Sequence, residues 1–403
     1  MTATTSPGPA GSTVERPTSV DEAVKVLRDS RGSVLFRGAG TKMIWAGRPA
    51  DPDLVLETGG LDRLLDHNPA DMTASAQAGM PLRALQDRLA EAGQWLALDP
   101  PTEPDGATLG GLLATGESGP RRLRYGALRD LVIGVTLVLS DGTLARAGGH
   151  VIKNVAGYDL TKLMYGSLGT LGLIAEVVLR LHPRPETSAT VVVPASVQEA
   201  TARSLDLLAA PLEPCAVDWV GDPRGGASSG RLAVRFEGTA AGVAAQTAAL
   251  RGRLDGAAPE VLANTDEAAL WREYAGAHRA EPGQSMAFAG TLPSRLTAVA
   301  AALADAADAA GVDVSLASHS ALGLHTARFS GPPAQQAAAL DRWRREVLAL
   351  GGTVLLRERP AEIDAAAVDA LGPAPSAVGL LRALKARLDP DGRCAPGRLA
   401  SWL

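Results

Sequence analysis

Hydrophobic and polar positions alternate along the first half of the chain in patterns that predict short strands between helices. Ser19 is a candidate N-cap, and residues 20–27 place apolar side chains at helical spacing with acidic residues in the first turn. Pro81 and Gly93 are typical of the start and the end of a second helix. Apolar runs bounded by turn residues predict strands at 33–36, at 54–56, at 131–139, from 143 onwards and at 173–181.

From residue 189 the pattern changes to two similar passes of strand, helix, strand, strand and helix. The first pass predicts strands at 189–193, 216–220 and 231–236, and helices at 197–208 and 241–254. The second predicts strands at 286–290, 312–317, 323–329 and 353–357, and helices at 293–310 and 333–350. This order favours an antiparallel sheet with helices on one face, so the predicted fold class is α+β.

Composition changes along the chain suggest how it is divided. Residues 1–17 are mostly Pro, Gly, Ser and Thr, which cannot bury enough surface to offset their ordering entropy, and they are predicted to be a flexible tail. Prolines near residue 184 indicate a boundary between a first domain, 18–184, and a second, 185–375. The segment 376–403 combines a short helix with a Pro- and Gly-bearing loop, and we expect it to pack back on the first domain.

The overall composition excludes several classes of protein. The chain has 403 residues, 46% of them hydrophobic and 21% charged, which is typical of a folded protein with more than one core. A net charge of -5 without a basic block argues against nucleic acid as a partner. No apolar run is long enough to cross a bilayer, and the first residues lack a signal sequence, so we expect a cytoplasmic location. Cys215 and Cys394 form no CxxC pair, so redox chemistry would need a bound organic cofactor.

Three loops rich in glycine and threonine, at 37–42, 107–119 and 166–172, are the strongest candidates for a binding site. The first offers unhindered backbone amides, a hydroxyl and two cations, which are the groups that bind a diphosphate. It lacks the pattern of a Walker A loop and the third glycine of a dinucleotide-binding fingerprint. Each loop taken alone fits an ordinary turn, but three in one domain favour a large cofactor with many contacts.

Several ordered motifs resemble the FAD-binding domain of the vanillyl-alcohol oxidase and p-cresol methylhydroxylase (PCMH-type) family. They are VLFRGAGTK at 34–42, GATLGG at 106–111, the stretch 124–142, VIKNVAGYDL at 151–160 and GSLGTLG at 166–172. Within that family the chain is most similar to the FAD-binding subunits of glycolate oxidases, over residues 19–183. The resemblance implies a two-subdomain domain that holds extended FAD, followed by a cap domain with an antiparallel sheet over the flavin.

The resemblance also assigns cofactor contacts by position. Residues expected along the diphosphate and the flavin are Gly38, Ala39, Gly40, Thr41, Lys42, Thr108, Gly110, Gly111, Thr115 and Gly119. Tyr125 and Gly126 are expected near the ring, and Gly169, Gly172 and Ile174 near the ribitol or adenosine portion. Some relatives attach the flavin to a His or Cys in the first two loops, where this chain has Thr41 and Gly116. The resemblance therefore implies noncovalent FAD.

The residues identify no catalytic base and no metal site. Hydroxy-acid-oxidising relatives carry a His-x-Gly-Asp-Gly-Asn-x-His pattern in the cap, whereas this chain has HSALGLH at 319–325, without the Asp and Asn. His325, Arg328 and Arg124 are the candidates for catalysis, with a structural role as the alternative for each. A 2-hydroxy carboxylate also needs a fixed cation, for which Arg124, Arg328 and Arg398 are candidates.

The expected function is that of an FAD-binding subunit of a glycolate oxidase-type complex, which oxidises a 2-hydroxy acid or relays its electrons. The resemblance implies a larger FAD subunit and an iron–sulfur subunit as partners, with contact to the inner face of the membrane only through them. Two alternatives stay open: a stand-alone FAD oxidase or dehydrogenase of another hydroxy acid or alcohol, and a noncatalytic assembly subunit that keeps the fold. Activity of the isolated chain separates these possibilities.

Overall fold

A computed structural model describes residues 11–150, 159–226, 229–254, 257–363 and 368–403. The strands of the first half are β1 (Thr13–Glu15), β2 (Val34–Arg37), β3 (Leu54–Glu57), β4 (Leu64–Asn68), β5 (Thr73–Gln77), β6 (Gln94–Trp95), β7 (Val132–Val138), β8 (Leu144–Gly148), β9 (Leu173–Arg180) and β10 (His182–Pro183). Its helices are α1 (Val20–Asp29), α2 (Leu82–Ala90), α3 (Leu109–Thr115), α4 (Arg122–Tyr125), α5 (Leu128–Leu131) and α6 (Leu160–Met164).

These elements build two main sheets. A parallel three-stranded sheet has the order β1-β3-β2, and an antiparallel five-stranded sheet has the order β4-β5-β9-β7-β8. The Ser19 hydroxyl accepts from the amide of Glu22 and starts α1 as predicted. Strand β1 corrects the expectation of a flexible tail up to residue 17, because the Thr13 amide donates to the Asp53 carbonyl and draws this segment onto β3.

The second half forms one eight-stranded antiparallel sheet. Its strands are β11 (Thr187–Pro194), β12 (Ala216–Gly221), β13 (Gly230–Gly238), β14 (Glu260–Leu262), β15 (Ser285–Gly290), β16 (Asp313–His319), β17 (Leu324–Ser330) and β18 (Thr353–Glu358). The order is β14-β11-β13-β12-β16-β17-β15-β18, so the two predicted passes lie side by side and meet where β12 pairs with β16. The α+β class predicted from the sequence is thereby confirmed.

Helices cover the two faces of this sheet unequally. They are α7 (Val197–Ala209), α8 (Ala240–Arg253), α9 (Asn264–Ala277), α10 (Leu296–Ala310), α11 (Pro333–Ala349) and, near the end of the chain, α12 (Val378–Leu388). Side chains of α7, α8, α10 and α11 share the large core with alternate residues of the strands, and we call this side the helix face. Helix α9 packs on the other side, which also meets the first half of the chain, and we call it the open face.

The end of the chain returns to the first half, as the sequence predicts. Cys394 pairs with Val34 as a parallel extension of β2. Arg393, which is almost fully buried, donates to the carbonyls of Gly32 and Leu27. Among the described residues, no helix is long and apolar enough to cross a membrane.

Candidate functional site

The three glycine-rich loops predicted from the sequence converge on one cleft in the first half of the chain. It has an empty volume of about 730 Å³, part of which is open to solvent, between the end of β2, the start of α3 and the turn before β9. Its lining includes residues of the segments 35–43, 108–115 and 168–174, together with Thr58, Ala78 and Arg398. These loops lie up to 130 residues apart in sequence and are brought together by the sheets that they connect.

The first loop has backbone amides free to bind a ligand. The amides of Gly38, Ala39, Gly40 and Thr41 donate no hydrogen bond to any residue that the structure describes. A side chain at Gly38 would collide with Thr108, since an ideal Cβ there lies 2.4 Å from the Thr108 hydroxyl oxygen. Gly40 has a φ of +76°, a conformation that glycine adopts without strain. These features fit the expected diphosphate of FAD, because convergent amides are its preferred partners.

Two cationic side chains, Arg398 and Lys42, lie at this loop. Arg398 is buried and donates to the carbonyls of Met43 and Lys42, while its Nε atom has no partner among the described residues. Burial lowers the pKa of Arg398 to about 10, so the guanidinium remains charged at neutral pH. Lys42 is also buried, and its Nζ lies 2.9 Å from both Glu117 and Thr102. The positive charge of Arg398 suits a cofactor diphosphate, whereas that of Lys42 is neutralised by Glu117.

Most of the cofactor contacts predicted by resemblance line this cleft. They are Gly38, Ala39, Gly40, Thr41, Lys42, Thr108, Gly110, Gly111, Thr115, Gly169, Gly172 and Ile174. Ten further lining residues, including Met43, Thr58 and Ala78, were not predicted as cofactor contacts. Residues 151–158 of the fourth motif lie outside the described part of the chain.

Gly119, Tyr125 and Gly126 are not among the residues that line the cleft. An ideal Cβ at Gly119 would lie 2.0 Å from the Asp99 carbonyl oxygen, so close packing alone requires glycine there. Tyr125 instead contacts the rings of Trp95 and His182, with centroids 5.8 Å and 5.0 Å away. The structure thus gives these three residues local packing roles and leaves their predicted contact with the flavin without support from the cleft.

A second group of polar residues is buried on the open face of the large sheet. Asp218 of β12 and His319 of β16 are cross-strand partners at the junction of the two passes. The Nδ1 atom of His319 lies 2.9 Å from the Asp218 carboxylate. His278, just after α9, stacks on the His319 ring with centroids 4.3 Å apart. Neither Asp218 nor His278 carried a motif signal, because only the register of distant strands brings them to His319.

Burial and mutual contact set the protonation of this cluster. Burial opposes the ionisation of Asp218, but the close contact with His319 outweighs it and places the Asp218 pKa below its ordinary value. Burial lowers the pKa of His278 to about 4, so this ring is neutral at pH 7. With Nδ1 of His319 donating to Asp218, the lone pair able to take a proton lies on Nε2. The pair is therefore built as a carboxylate-oriented base.

The structure shows the surroundings of the three catalytic candidates taken from the sequence. His325 lies on the helix face with Ala327 and Phe329, because side chains alternate along β17. It is fully buried, and its two ring nitrogens bond to the hydroxyls of Thr291 and Ser318. Burial lowers the pKa of His325 to about 3. A histidine enclosed in this way is a structural residue.

The two candidate arginines are also engaged elsewhere. Arg328 Nε donates to Ser315 at 2.9 Å on the neighbouring strand. Arg124 donates to the Glu237 carbonyl at 2.8 Å and lies 3.6 Å from the Glu213 carboxylate, so it joins the two halves of the chain. Both arginines have structural partners, and neither lines the glycine-rich cleft.

Comparison with protein families and curated proteins identifies similar chains. Residues 12–158 match the family model described as an FAD binding domain. Glycolate oxidase subunit GlcE of Escherichia coli (strain K12) is 36% identical over 179 residues, 44% of this chain and 51% of that protein. Glycolate oxidase subunit GlcD of Bacillus subtilis (strain 168) is 33% identical over 211 residues, 51% of this chain and 45% of that protein. The D-lactate dehydrogenase of Archaeoglobus fulgidus is 30% identical over 210 residues, 51% of this chain and 47% of that protein.

The chain spans about half the length of the curated relatives it matches. Among solved structures, alkyldihydroxyacetonephosphate synthase superposes with a TM-score of 0.70 at 17% identity. That alignment covers 95% of this chain and 76% of the synthase, and at such low identity it describes the fold alone. Similarity of fold thus extends over both halves of the chain.

Proposed function

We propose that this chain is an FAD-linked oxidoreductase that oxidises a 2-hydroxy acid as a subunit of a glycolate oxidase-type complex, and the match of residues 12–158 to the FAD binding domain model supports this proposal. The proposed substrate is glycolate and the product glyoxylate. The relatives named as glycolate oxidase subunits and D-lactate dehydrogenase support this substrate class.

The Asp218–His319 pair is the observation that carries the proposal. It lies on the open face, where other residues of the second half contact the cofactor-binding half of the chain: Glu237 pairs with Arg121, and Arg279, next to His278, pairs with Asp105. Oxidation of a hydroxy acid needs a group that removes the hydroxyl proton. A base on this face would serve a substrate held between the two halves.

The roles of the protein groups follow from their geometry. Bound FAD supplies the two-electron acceptor for the hydrogen that leaves the substrate carbon. His319 Nε2 takes the hydroxyl proton, and Asp218 holds the ring through Nδ1 and stabilises the positive charge that results. His278 is neutral and stacks against His319, which limits the movement of that ring.

The FAD is proposed to be noncovalently bound. The described residues that line the cleft include no His, Cys or Tyr, the side chains to which a flavin is commonly attached. Both cysteines are buried and unpaired, and burial raises the pKa of each thiol above its ordinary value. The flavin should therefore leave the protein when acid unfolds it.

We further propose that the electrons leave through partner subunits. Cys215 and Cys394 cannot together hold an iron–sulfur centre. A larger FAD subunit and an iron–sulfur subunit would supply that route, and the relatives named as subunits of a glycolate oxidase support the existence of partner chains.

The test is reduction of the bound flavin. The full-length chain, purified with any subunits that remain bound, is mixed anaerobically with glycolate, and its visible absorbance is followed. We expect the flavin to bleach, and we expect His319→Gln to slow bleaching by on the order of 100- to 10,000-fold, since the proton acceptor is lost.

The control is His67→Gln, on β4 in the other half of the chain, where the ring bonds to Gln94. It should bleach at the rate of the unmodified protein. Absence of FAD would contradict the cofactor assignment. Equal rates in His319→Gln and the unmodified chain would remove His319 as the base, and bleaching only after a partner subunit is added would assign this chain a relay or assembly role.

A further inference from the structure

Arg357 of β18 is held in an unusual position between two aromatic rings. Its guanidinium carbon lies 4.3 Å from the centre of the Trp45 ring and 3.8 Å from that of Phe288. Trp45 follows the first glycine-rich loop, whereas Phe288 belongs to the open face of the large sheet. The arginine is thus clamped where the two halves of the chain meet.

In the described part of the chain, this guanidinium has no acidic partner. Among the residues that the structure describes, none forms an ion pair or a hydrogen bond with the Arg357 side chain, although Glu358 and Glu117 lie close enough to influence its pKa. Glu358 accepts from Trp45 and Glu117 from Lys42, so both carboxylates are engaged. Burial lowers the pKa of Arg357 to about 10, and the group stays charged at neutral pH.

Two other buried arginines have hydrogen-bond partners, whereas Arg357 has none among the described residues. Arg121 pairs with Asp99 and Glu237, and Arg393 donates to several carbonyl oxygens. Burying an arginine without a counter-charge costs free energy, so a bound anion would stabilise such a group. Arg357 also keeps part of its surface accessible, which leaves room for one.

The charge of Arg357 affects the pKa of one residue in each half of the chain. It lowers the pKa of Lys42 in the cofactor cleft and that of His278 in the histidine cluster. Burial is the larger cause in both cases, but the shared influence places Arg357 between the two sites. A small anion bound there would lie near both the cofactor and the proposed base.

We propose that Arg357 binds the carboxylate of the substrate, with its guanidinium plane fixed by Trp45 and Phe288. The inference rests on the proposed oxidation of a 2-hydroxy acid and adds the residue that selects for the acid group. A planar guanidinium can donate two parallel hydrogen bonds to a carboxylate, and clamping its faces leaves only the edge for that purpose. Sequence reasoning overlooked Arg357 because arginine is common in this chain and β18 carries no motif.

The test measures binding of oxalate, a dicarboxylate that cannot be oxidised as a hydroxy acid, to the FAD-loaded full chain by titration calorimetry. Arg357→Met should weaken oxalate binding on the order of 10- to 100-fold, since a charge-assisted bidentate contact is lost. Arg357→Lys, which keeps the charge without the planar fork, should lose roughly 10-fold. The KM for glycolate should rise in parallel, while the FAD content and the midpoint potential of the bound flavin stay unchanged.

Arg345→Met on α11 is the matched control, because Arg345 is exposed and pairs only with Asp341 in the described structure. It should bind oxalate as the unmodified protein does. If thermal unfolding shows that Arg357→Met is not folded, oxalate binding by Arg357→Lys tests the inference instead.

Three results would overturn the inference: no oxalate binding by the unmodified protein, unchanged binding in both Arg357 variants, or a lowered flavin potential with unchanged oxalate binding. The last result would assign the guanidinium to the flavin. Oxalate binding requires no turnover, so failure of glycolate oxidation with Arg357-dependent binding would reject the proposed function and leave the anion site standing.

Discussion

Burial shifts the protonation of several single residues in directions that matter for stability. It lowers the pKa of His278 to about 4 and that of His325 to about 3, and it raises the pKa of Asp99 to about 6. Each histidine thus binds a proton less readily in the folded chain than in the unfolded chain, and Asp99 does the reverse. Between pH 4 and 6, acidification therefore lowers the free energy of unfolding through the histidines and raises it through Asp99.

We predict a net loss of stability in mild acid. In the unfolded chain the two histidines gain protons below about pH 6.5, which lowers the free energy of unfolding by up to about 1.4 kcal/mol per pH unit for each. Protonation of Asp99 in the folded chain offsets one of them between its unfolded pKa of about 4 and its folded pKa of about 6. His325→Gln should therefore flatten the dependence between pH 4 and 6, as urea unfolding at a series of pH values would show.

His67→Gln is the control for this change, because His67 is partly exposed. A slope in His325→Gln equal to that of the unmodified chain would show that His325 takes up a proton in the folded state after all.

At the scale of the element, the first glycine-rich loop shows how a strand end becomes a binding surface. It leaves β2 and turns at Gly40, where the nearest atoms to an ideal Cβ are the side chains of Arg37 and Met43 at 3.9 Å. Space for a side chain therefore exists, and the constraint on this position comes from the positive φ and from the ligand. An acidic side chain would add a negative charge beside the cofactor diphosphate.

We predict that Gly40→Asp abolishes FAD retention while the large sheet stays folded. Flavin absorbance after gel filtration measures the first effect and circular dichroism the second. Gly93→Asp is the matched control, because Gly93 has a φ of +66° with nothing near its ideal Cβ and lies outside the cleft. It carries the same backbone strain and should keep its FAD; equal flavin content in both variants would contradict the assignment of the loop.

Some helices and strands of this protein are predictable from the sequence, and others are not. Regularly spaced apolar positions predict α7, α8, α10 and α11 to within a few residues, whereas α9 is not predicted. Strands β4 and β5, with the sequences LLDHN and TASAQ, were missed because small and polar residues dominate them. Helix α3 was taken for a loop because of Gly110 and Gly111, although Leu109, Leu112 and Leu113 are buried at helical spacing.

At the scale of the whole molecule, a buried ion network joins the two halves of the chain. Glu237 of β13 has a fully buried side chain and lies 2.6 Å from Arg121 and 3.2 Å from Arg235. Arg121 also pairs with Asp99 at 3.3 Å. Removing one partner of a buried pair leaves a charge without compensation, which is more damaging than losing an exposed pair.

We predict that Glu237→Gln lowers the free energy of unfolding by about 3 kcal/mol or more, because Arg121 and Arg235 would lose a shared carboxylate. Calorimetry should show the first half of the chain unfolding before the second, since the contact between them is weakened. Glu273→Gln is the control, because its pair with Arg231 is largely exposed. One unshifted transition in Glu237→Gln would show that the network contributes no coupling.

The sequence predicts the parts of the site that local motifs form, but not the parts that only the complete fold brings together. The cofactor cleft was predictable, because each loop carries its own motif and needs few distant contacts to be recognised. The pair of Asp218 and His319 was not, since 101 residues separate them and only the register of β12 against β16 makes them neighbours. Arg357 was likewise not predictable, because the Trp45 ring that it contacts lies far away in sequence.

The return of the chain end to the first half has a consequence for the order of events during synthesis. Arg398 binds the carbonyl of Met43, 355 residues earlier, and Cys394 extends β2. At typical translation rates a ribosome needs roughly 20–70 s to cover that distance. The nascent first domain lacks Arg398 throughout this interval, so we expect it to bind FAD tightly only after the residues that follow α12 have emerged.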